Sequence, residues 1–464
     1  MVKKDDYEAT VCKETWDVFQ KMCDTYKRRK LSVSFFNSTP QGGGVALMRH
    51  ALLRLLNLNG VEVHSFIRYV ARPKPEVFDI TKRKFHNVLQ GVADPSIHLN
   101  EDDKQVFIDW SDENASRFWL DDKGPIKNSD VRSDLIKNYP TGPTAETWNF
   151  LWKFIKQADL FVAHPIKNFI PDVVPARNVV LLPAATDHLD GLNKPLTPWC
   201  STYYQSVFNR VCVDFGVNEV DWYRPYIVQV ARFDPSKGIP DVLEAYRILR
   251  NKMGSEFEDI RTPQLVICGH GSVDDPDGTV IFEQTQAIIQ SKKFSFISSD
   301  IIAVRLPASD QLLNMIMRGA YVALQLSHRE GFEVKVTEAL EKGIPVIAYE
   351  AGGIPLQIKR NENGFLLPIG DTEGVASKLL ELFQNPDLRE KMGQAGKTGV
   401  TEEYFTVWNA MSWLHMILEL TKDQESTPHK DGGLDDLNIL ENTDLGHTRK
   451  VSELWREKYN YKQN

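Results

Sequence analysis

Between Tyr226 and Thr401 the chain alternates short apolar runs with helix-period segments, and few architectures accommodate such a pattern. Residues 226–230, 264–268, 301–306, 321–326 and 345–348 read as strands, and helix-period segments start near Ile239, Thr279, Ser309, Glu333 and Thr372. Apolar runs without polar alternation need cover on both faces, which strand–helix alternation supplies as a parallel sheet between helices. The expected class is therefore α/β. In such sheets ligands bind beyond the carboxyl ends of the strands, so the loops that follow them are where chemistry is sought.

The first half carries the same signal more weakly. After a charged, helical lead-in (7–30), residues 31–37 read as a strand running into a glycine turn and a helix over 45–58, with further strands at 61–67, 159–163 and 178–182. Residues 100–145 are highly charged, and 106–108 is their one strand-like run. Residues 187–224, rich in Pro, Asn and aromatics, read as the junction. The expected organisation is two Rossmann-like lobes with a crevice between them: an acceptor-side lobe over 1–187, a linker over 188–224, a phosphate and donor lobe over 225–405, and C-terminal helices over 406–464 that cross back.

Charge narrows the partners. Lys and Arg number 55 against 63 Asp and Glu, a formal charge of -8. That is the wrong sign for holding a nucleic-acid backbone by bulk electrostatics, so a bound anion must be held locally. The five cysteines (Cys12, Cys23, Cys200, Cys212, Cys268) are scattered and lack metal-ligand spacing, which points to reduced thiols and a cytoplasmic protein. No apolar run approaches the length of a membrane span, so no membrane partner is expected. The pairs Asp121-Asp122 and Asp274-Asp275 read as solvated loop acids, and neither a metal nor another cofactor is called for.

Three strand-end loops carry candidate chemistry. Gly42, Gly43 and Gly44 precede a helix, where bare backbone lets an anion or sugar hydroxyl approach free N–H groups. Arg232 and Lys237 lie five residues apart after the strand at 226–230, an Arg fork and a Lys point charge that can converge on phosphate. As loop charges they are expected to contribute little to stability. Glu330 and Glu338, with seven residues between them, flank the start of a helix, so that Glu330 can accept hydrogen bonds from sugar hydroxyls while the Gly331, Phe332 and Glu333 amides face a phosphate. The plain alternative there is a Lys335 to Glu338 ion pair on an ordinary helix. His164, at another strand end, could line the crevice, but a histidine in that position more often reads as structural.

These elements together resemble retaining glycosyltransferase family 4: Arg232 with Lys237, the Glu330 and Glu338 spacing, the glycine run, and Gly352-Gly-Ile-Pro355. The stretches Asn37-Ser-Thr-Pro-Gln-Gly-Gly-Gly-Val-Ala46, Ile80-Thr-Lys82, His86-Asn-Val-Leu-Gln-Gly91, Gly271-Ser-Val-Asp-Asp-Pro276 and Glu330-Gly-Phe-Glu-Val-Lys335 are most similar to the fungal trehalose phosphorylases. The resemblance covers roughly residues 30–420. It implies a two-lobed GT-B fold and phosphorolysis of α,α-trehalose to α-glucose 1-phosphate and glucose, with retention and in either direction. It further implies that Arg232 and Lys237 neutralise phosphate, that Glu330 grips the donor glucose, and that His86, Asn87 and Gln90 hold the acceptor-side glucose. The small molecules trehalose, phosphate, glucose and glucose 1-phosphate are the expected partners, and a homodimer is compatible with them. Where the wider family has Gly or Pro, this chain has Glu333. Where the family has a βαβ unit between the positions of Pro125 and Val131, only residues 126–130 stand, so the first lobe is expected to be shortened.

Two alternatives stay open. A nucleotide-sugar-dependent trehalose synthase would use Glu338 to bind ribose, and a shortened, catalytically impaired chain would only bind sugar phosphate.

Overall fold

The computed structural model describes residues 2–35, 43–64, 74–89, 91, 93–118, 142–166, 169–253, 262–270, 277–422 and 443–461. Its strands, in chain order, are β1 (Val33–Ser34), β2 (Val63–His64), β3 (Phe161–Ala163), β4 (Val179–Leu181), β5 (Tyr226–Val230), β6 (Gln264–His270), β7 (Ile301–Leu306), β8 (Val322–Gln325), β9 (Val346–Tyr349), β10 (Gly364–Leu367) and β11 (Arg449–Lys450). Two units result, one formed by residues 1–186 with 403–464 and the other by residues 187–402.

In the second unit all pairings are parallel and the strand order is β10-β9-β8-β5-β6-β7. That order is the doubly wound one, with its reversal between β5 and β8, where such sheets bind ligands. Every residue of β5, β8 and β9 is buried. Helices Ile239–Met253 and Thr372–Gln384 cover the sheet through Val242, Leu243, Tyr246, Val375 and Leu379. Residues 187–224 contain the 17-residue helix Pro198–Asp214, started by Thr197 accepting from the Cys200 N–H.

The first unit holds a parallel β1-β2 pair and a parallel β11-β4-β3 sheet. Helix Thr406–Leu420 packs on helices Lys13–Arg28, Gly43–Leu58 and Val451–Lys458, with the Trp408 and Trp455 rings 4.9 Å apart. The C-terminal helices thus return to the N-terminal half. The expected strand at 106–108 is instead part of helix Glu101–Phe118. Its apolar residues are helical neighbours whose Phe107 ring packs on Phe85 and Phe150 at 5.0 and 5.9 Å, which a strand in a charged stretch could not do alone. The expected shortening at 126–130 lies outside the described residues. All five cysteines are unpaired, and burial pushes the Cys23 and Cys212 thiols up to about 12. Among the described residues no helix is long and apolar enough to cross a membrane.

Candidate functional site

The site of the second unit is assembled from the loops after β5, β8 and β9, three neighbouring strands of one sheet. After β5 the chain turns through Arg232 to Gly238. Asp234 Oδ1 accepts from the Ser236 N–H at 2.9 Å and from Ser236 Oγ at 2.6 Å, closing the turn Pro235–Lys237. Gly238 ends it at φ 59°, where a Cβ would lie 1.9 Å from the Leu326 carbonyl, so only glycine lets this loop lie against the end of β8. Buried Gln229 ties the two together, donating to Lys237 O at 2.9 Å and accepting from Leu326 N at 3.1 Å.

After β8 the chain passes through Ser327 to Glu333 into helix Val334–Glu341. Glu333 is the N-cap, with φ 61° and ψ 74°, a left-handed conformation that costs a non-glycine residue about 1–3 kcal/mol. Gln357 holds it there, its Nε2 donating to Phe332 O at 2.5 Å and Glu333 O at 3.3 Å while its Oε1 accepts from Thr337 N and Oγ1. The loop after β9 adds Gly353 N–H on Gly331 O at 2.7 Å, and Gly352, at φ 52°, passes so close that a Cβ would be 2.1 Å from Glu330 O.

Lys237 lies at the centre. Its Nζ donates to Glu330 Oε1 and, at 2.6 Å, to Glu333 Oε2. The three side chains are 12%, 10% and 8% exposed, so this is no solvated loop charge, contrary to the expectation for Lys237. Burial, reinforced by the Glu333 charge, pushes the Glu330 carboxyl up to about 7 against the pull of Lys237. Glu333 is also shielded, yet Lys237 and the hydrogen bond from Glu330 hold it down at about 2. Burial opposes the Lys237 charge, but the two carboxylates outweigh it and keep the ammonium above its ordinary range. Near neutrality the trio therefore holds one cation, one carboxylate and one carboxyl on the point of ionising.

Arg232, at the other end of the turn, is more open, with its side chain 31% exposed and Nη2 4.0 Å from Asp234 Oδ2. Phe332 is buried and Gly331 partly so. Glu338 is buried further along the helix, and its Oε2 accepts from Lys335 Nζ at 2.6 Å, the ordinary ion pair named as the plain alternative. Asp190 is pushed up to about 7 by burial and by the Glu338 charge.

The remaining expected residues belong to the first unit. Gly43 and Gly44 open helix Gly43–Leu58, whereas Gly42 and Gln90 lie outside the described residues. His86 ends a π-helical turn, Ile80–His86, and is exposed, while Asn87 beside it is buried. A cavity of about 300 Å³ opens at the carboxyl ends of β3 and β4, lined by Met48, His164, Pro183, Asn409 and Trp413 among others. His164, read as structural, thus faces a cavity, and burial keeps its ring below the usual histidine range. Asn409 and Trp413 carried no sequence signal, because they reach the cavity from a helix more than 200 residues downstream of β4.

Comparison with known proteins accords with this geometry. Residues 215–399 match the family of glycosyl transferases group 1, and residues 35–131 match the trehalose synthase N-terminal domain. A trehalose synthase of Pyrococcus horikoshii is 31% identical over 90% of this chain and 96% of its own length. The chain belongs to the trehalose synthase and trehalose phosphorylase family of group 1 glycosyltransferases. Within that family, trehalose phosphorylases of Pleurotus pulmonarius and Grifola frondosa are 42% and 41% identical over 92% and 97% of this chain. The chain spans only 62% and 65% of their length. The Grifola alignment runs over 485 positions, against about 450 residues for 97% of this chain, so that relative has roughly 35 aligned positions without a counterpart here. Among solved structures, trehalose-6-phosphate synthase matches with a TM-score of 0.58 at 14% identity, covering 86% of this chain and all of that one. WaaG, a glycosyltransferase involved in lipopolysaccharide biosynthesis, matches with a TM-score of 0.51 at 13% identity over 82% and 99%. These neighbours establish for this family member the GT-B architecture of two Rossmann-like α/β lobes.

Proposed function

We propose that this chain is a retaining glucosyltransferase acting as a trehalose phosphorylase, converting trehalose and phosphate to α-glucose 1-phosphate and glucose and running in either direction. The observation that carries this reading is the Lys237 ammonium, held between Glu330 and Glu333 at the sheet's reversal point. A cation shielded from water stabilises a phosphate beside the anomeric carbon far more than a solvated one does. Arg232 supplies the second positive group, and Glu330 accepts from the donor glucose hydroxyls. The backbone of Gly42, Gly43 and Gly44 and the residues His86, Asn87 and Gln90 serve phosphate and the acceptor-side sugar. No side chain is assigned as a covalent nucleophile. The phosphate attacks from the face the departing glucose leaves and passes it a proton.

The names of the fungal relatives support phosphate as cosubstrate, and so does Lys335. A nucleotide-sugar enzyme of this pattern would give Glu338 to ribose, but that carboxylate is engaged by Lys335. The unpaired thiols accord with a cytoplasmic location. The deciding experiment supplies purified chain with trehalose and either inorganic phosphate, UDP or ADP. Glucose 1-phosphate with phosphate alone supports the reading. A nucleotide sugar formed from UDP or ADP, with phosphate inert, replaces it by the synthase alternative.

A further inference from the structure

We propose that Glu333 makes the anion site selective for an oxyanion that carries a proton, so that it takes phosphate and excludes sulfate. This rests on the reading of the Lys237 loop as the phosphate site. Position 333 is left-handed, a conformation glycine adopts freely, yet a glutamate occupies it, fixed by the Gln357 bridge to Phe332 O and Glu333 O. The strained backbone holds a shielded carboxylate 2.6 Å from the ammonium that is to meet the anion.

A carboxylate beside an anion site is costly unless the anion can donate to it, because an ionised carboxylate only accepts hydrogen bonds. Dihydrogen phosphate, abundant at neutral pH, carries two hydroxyls, so one can donate P–O–H to Glu333 while the other remains for the departing glucose and the bare oxygens accept from Lys237. Sulfate is fully ionised and presents only lone pairs. Inside a shielded site that mismatch leaves a charge facing a charge, so rejection is built in as repulsion rather than as lost attraction. Glu333 is the member suited to the role, since its backbone is fixed at the helix N-cap by Gln357 and its Oε1 accepts only a long backbone N–H bond, whereas Glu330 is assigned to the donor glucose. Lys335, whose Nζ is turned onto Glu338, leaves Glu333 only its backbone N–H, at 3.3 Å.

The test is titration calorimetry of the full 464-residue chain with sodium phosphate and with sodium sulfate at matched ionic strength and pH 7, repeated on Glu333→Gln and Glu333→Gly. Glycine suits the left-handed backbone, so the second variant keeps the test alive if the first misfolds. Wild type should bind phosphate roughly 100-fold more tightly than sulfate, and each variant should bring the two to within about fivefold. Comparable binding of sulfate and phosphate by wild type, or undiminished discrimination in a folded variant, overturns the role of Glu333 and leaves the phosphorylase reading standing. Failure of folded wild type to bind phosphate at all overturns the phosphate site itself, and this inference with it.

Discussion

Lys237 Nζ stands 2.6 Å from Glu333 Oε2, so the cation expected to meet phosphate is already held by a carboxylate 96 residues further along the chain. In the proposed function, phosphate binding and folding therefore draw on the same residue.

Lys237→Ala should remove about 2–4 kcal/mol of transition-state stabilisation, a loss of roughly 30- to 1000-fold in kcat/KM. It should also destabilise the second unit, because breaking a shielded ion pair from one side costs about 3–5 kcal/mol. The melting temperature should fall at pH 8, recover towards pH 5, where a carboxyl accepts a proton instead, and be largely restored in Lys237→Ala/Glu333→Gln. Arg232→Ala, at a more open position, should lose comparable activity with stability changed by less than about 0.5 kcal/mol. Kinetics and thermal melts separate the two patterns.

Glu330 sets a pH dependence of stability. Its carboxyl is raised from 4.5 to about 7, so the folded chain keeps a proton that the unfolded chain releases, and stability from this group declines as pH rises between those values. Glu330→Gln cannot ionise. The stability difference between Glu330→Gln and wild type should therefore widen in favour of the variant from pH 4.5 to 7 and level off above, by an amount on the order of 1–3 kcal/mol. Melts across that range check the sign.

Gly352→Ala probes the contact between the loops after β9 and β8. At φ 52°, with Glu330 O only 2.1 Å from the added Cβ, the loop must move, carrying Glu330 with it. A loss of at least ~2 kcal/mol in stability, with activity falling further than stability alone explains, is the expected outcome in paired melting and kinetic assays.

Glu338→Gln should reduce activity with free phosphate by less than about tenfold, since a phosphorylase has no ribose to bind, while lowering the melting temperature because Lys335 loses its partner. Abolished phosphorolysis in a folded variant would assign Glu338 a direct role.

Restoring a βαβ unit in place of residues 126–130 should raise specific activity and the first melting transition, because parallel strands need neighbours and cover on both faces. Equal activity and a single high transition in both chains would show that the first lobe closes without it.

Much of the second unit was legible because β5, β8 and β9 are buried on both faces, and continuous apolar runs between helix-period segments have few other outcomes. Residues 106–108 misled for the same reason, since three apolar residues in a row do not distinguish a strand from the inner face of a helix. At the site, the Lys335 to Glu338 pair follows from helical spacing, whereas the need for glycine at positions 238 and 352 shows only once the loops lie against each other. Glu333 stands out where the wider family has Gly or Pro, but the sequence offers a role only for its amide. Its carboxylate role depends on Lys237, and its backbone on Gln357, contacts that exist only once distant strand ends are side by side. Gln229 and Asn409 were silent for the same cause.

Whether Lys237, Arg232 and Glu330 deliver inorganic phosphate to trehalose is read by phosphorus NMR of purified chain with trehalose and phosphate. The inorganic phosphate signal should convert to that of α-glucose 1-phosphate, with one glucose released per phosphate consumed and little or no conversion in Lys237→Ala. An unchanged phosphate signal from folded wild type that makes trehalose from UDP-glucose and glucose would contradict such delivery.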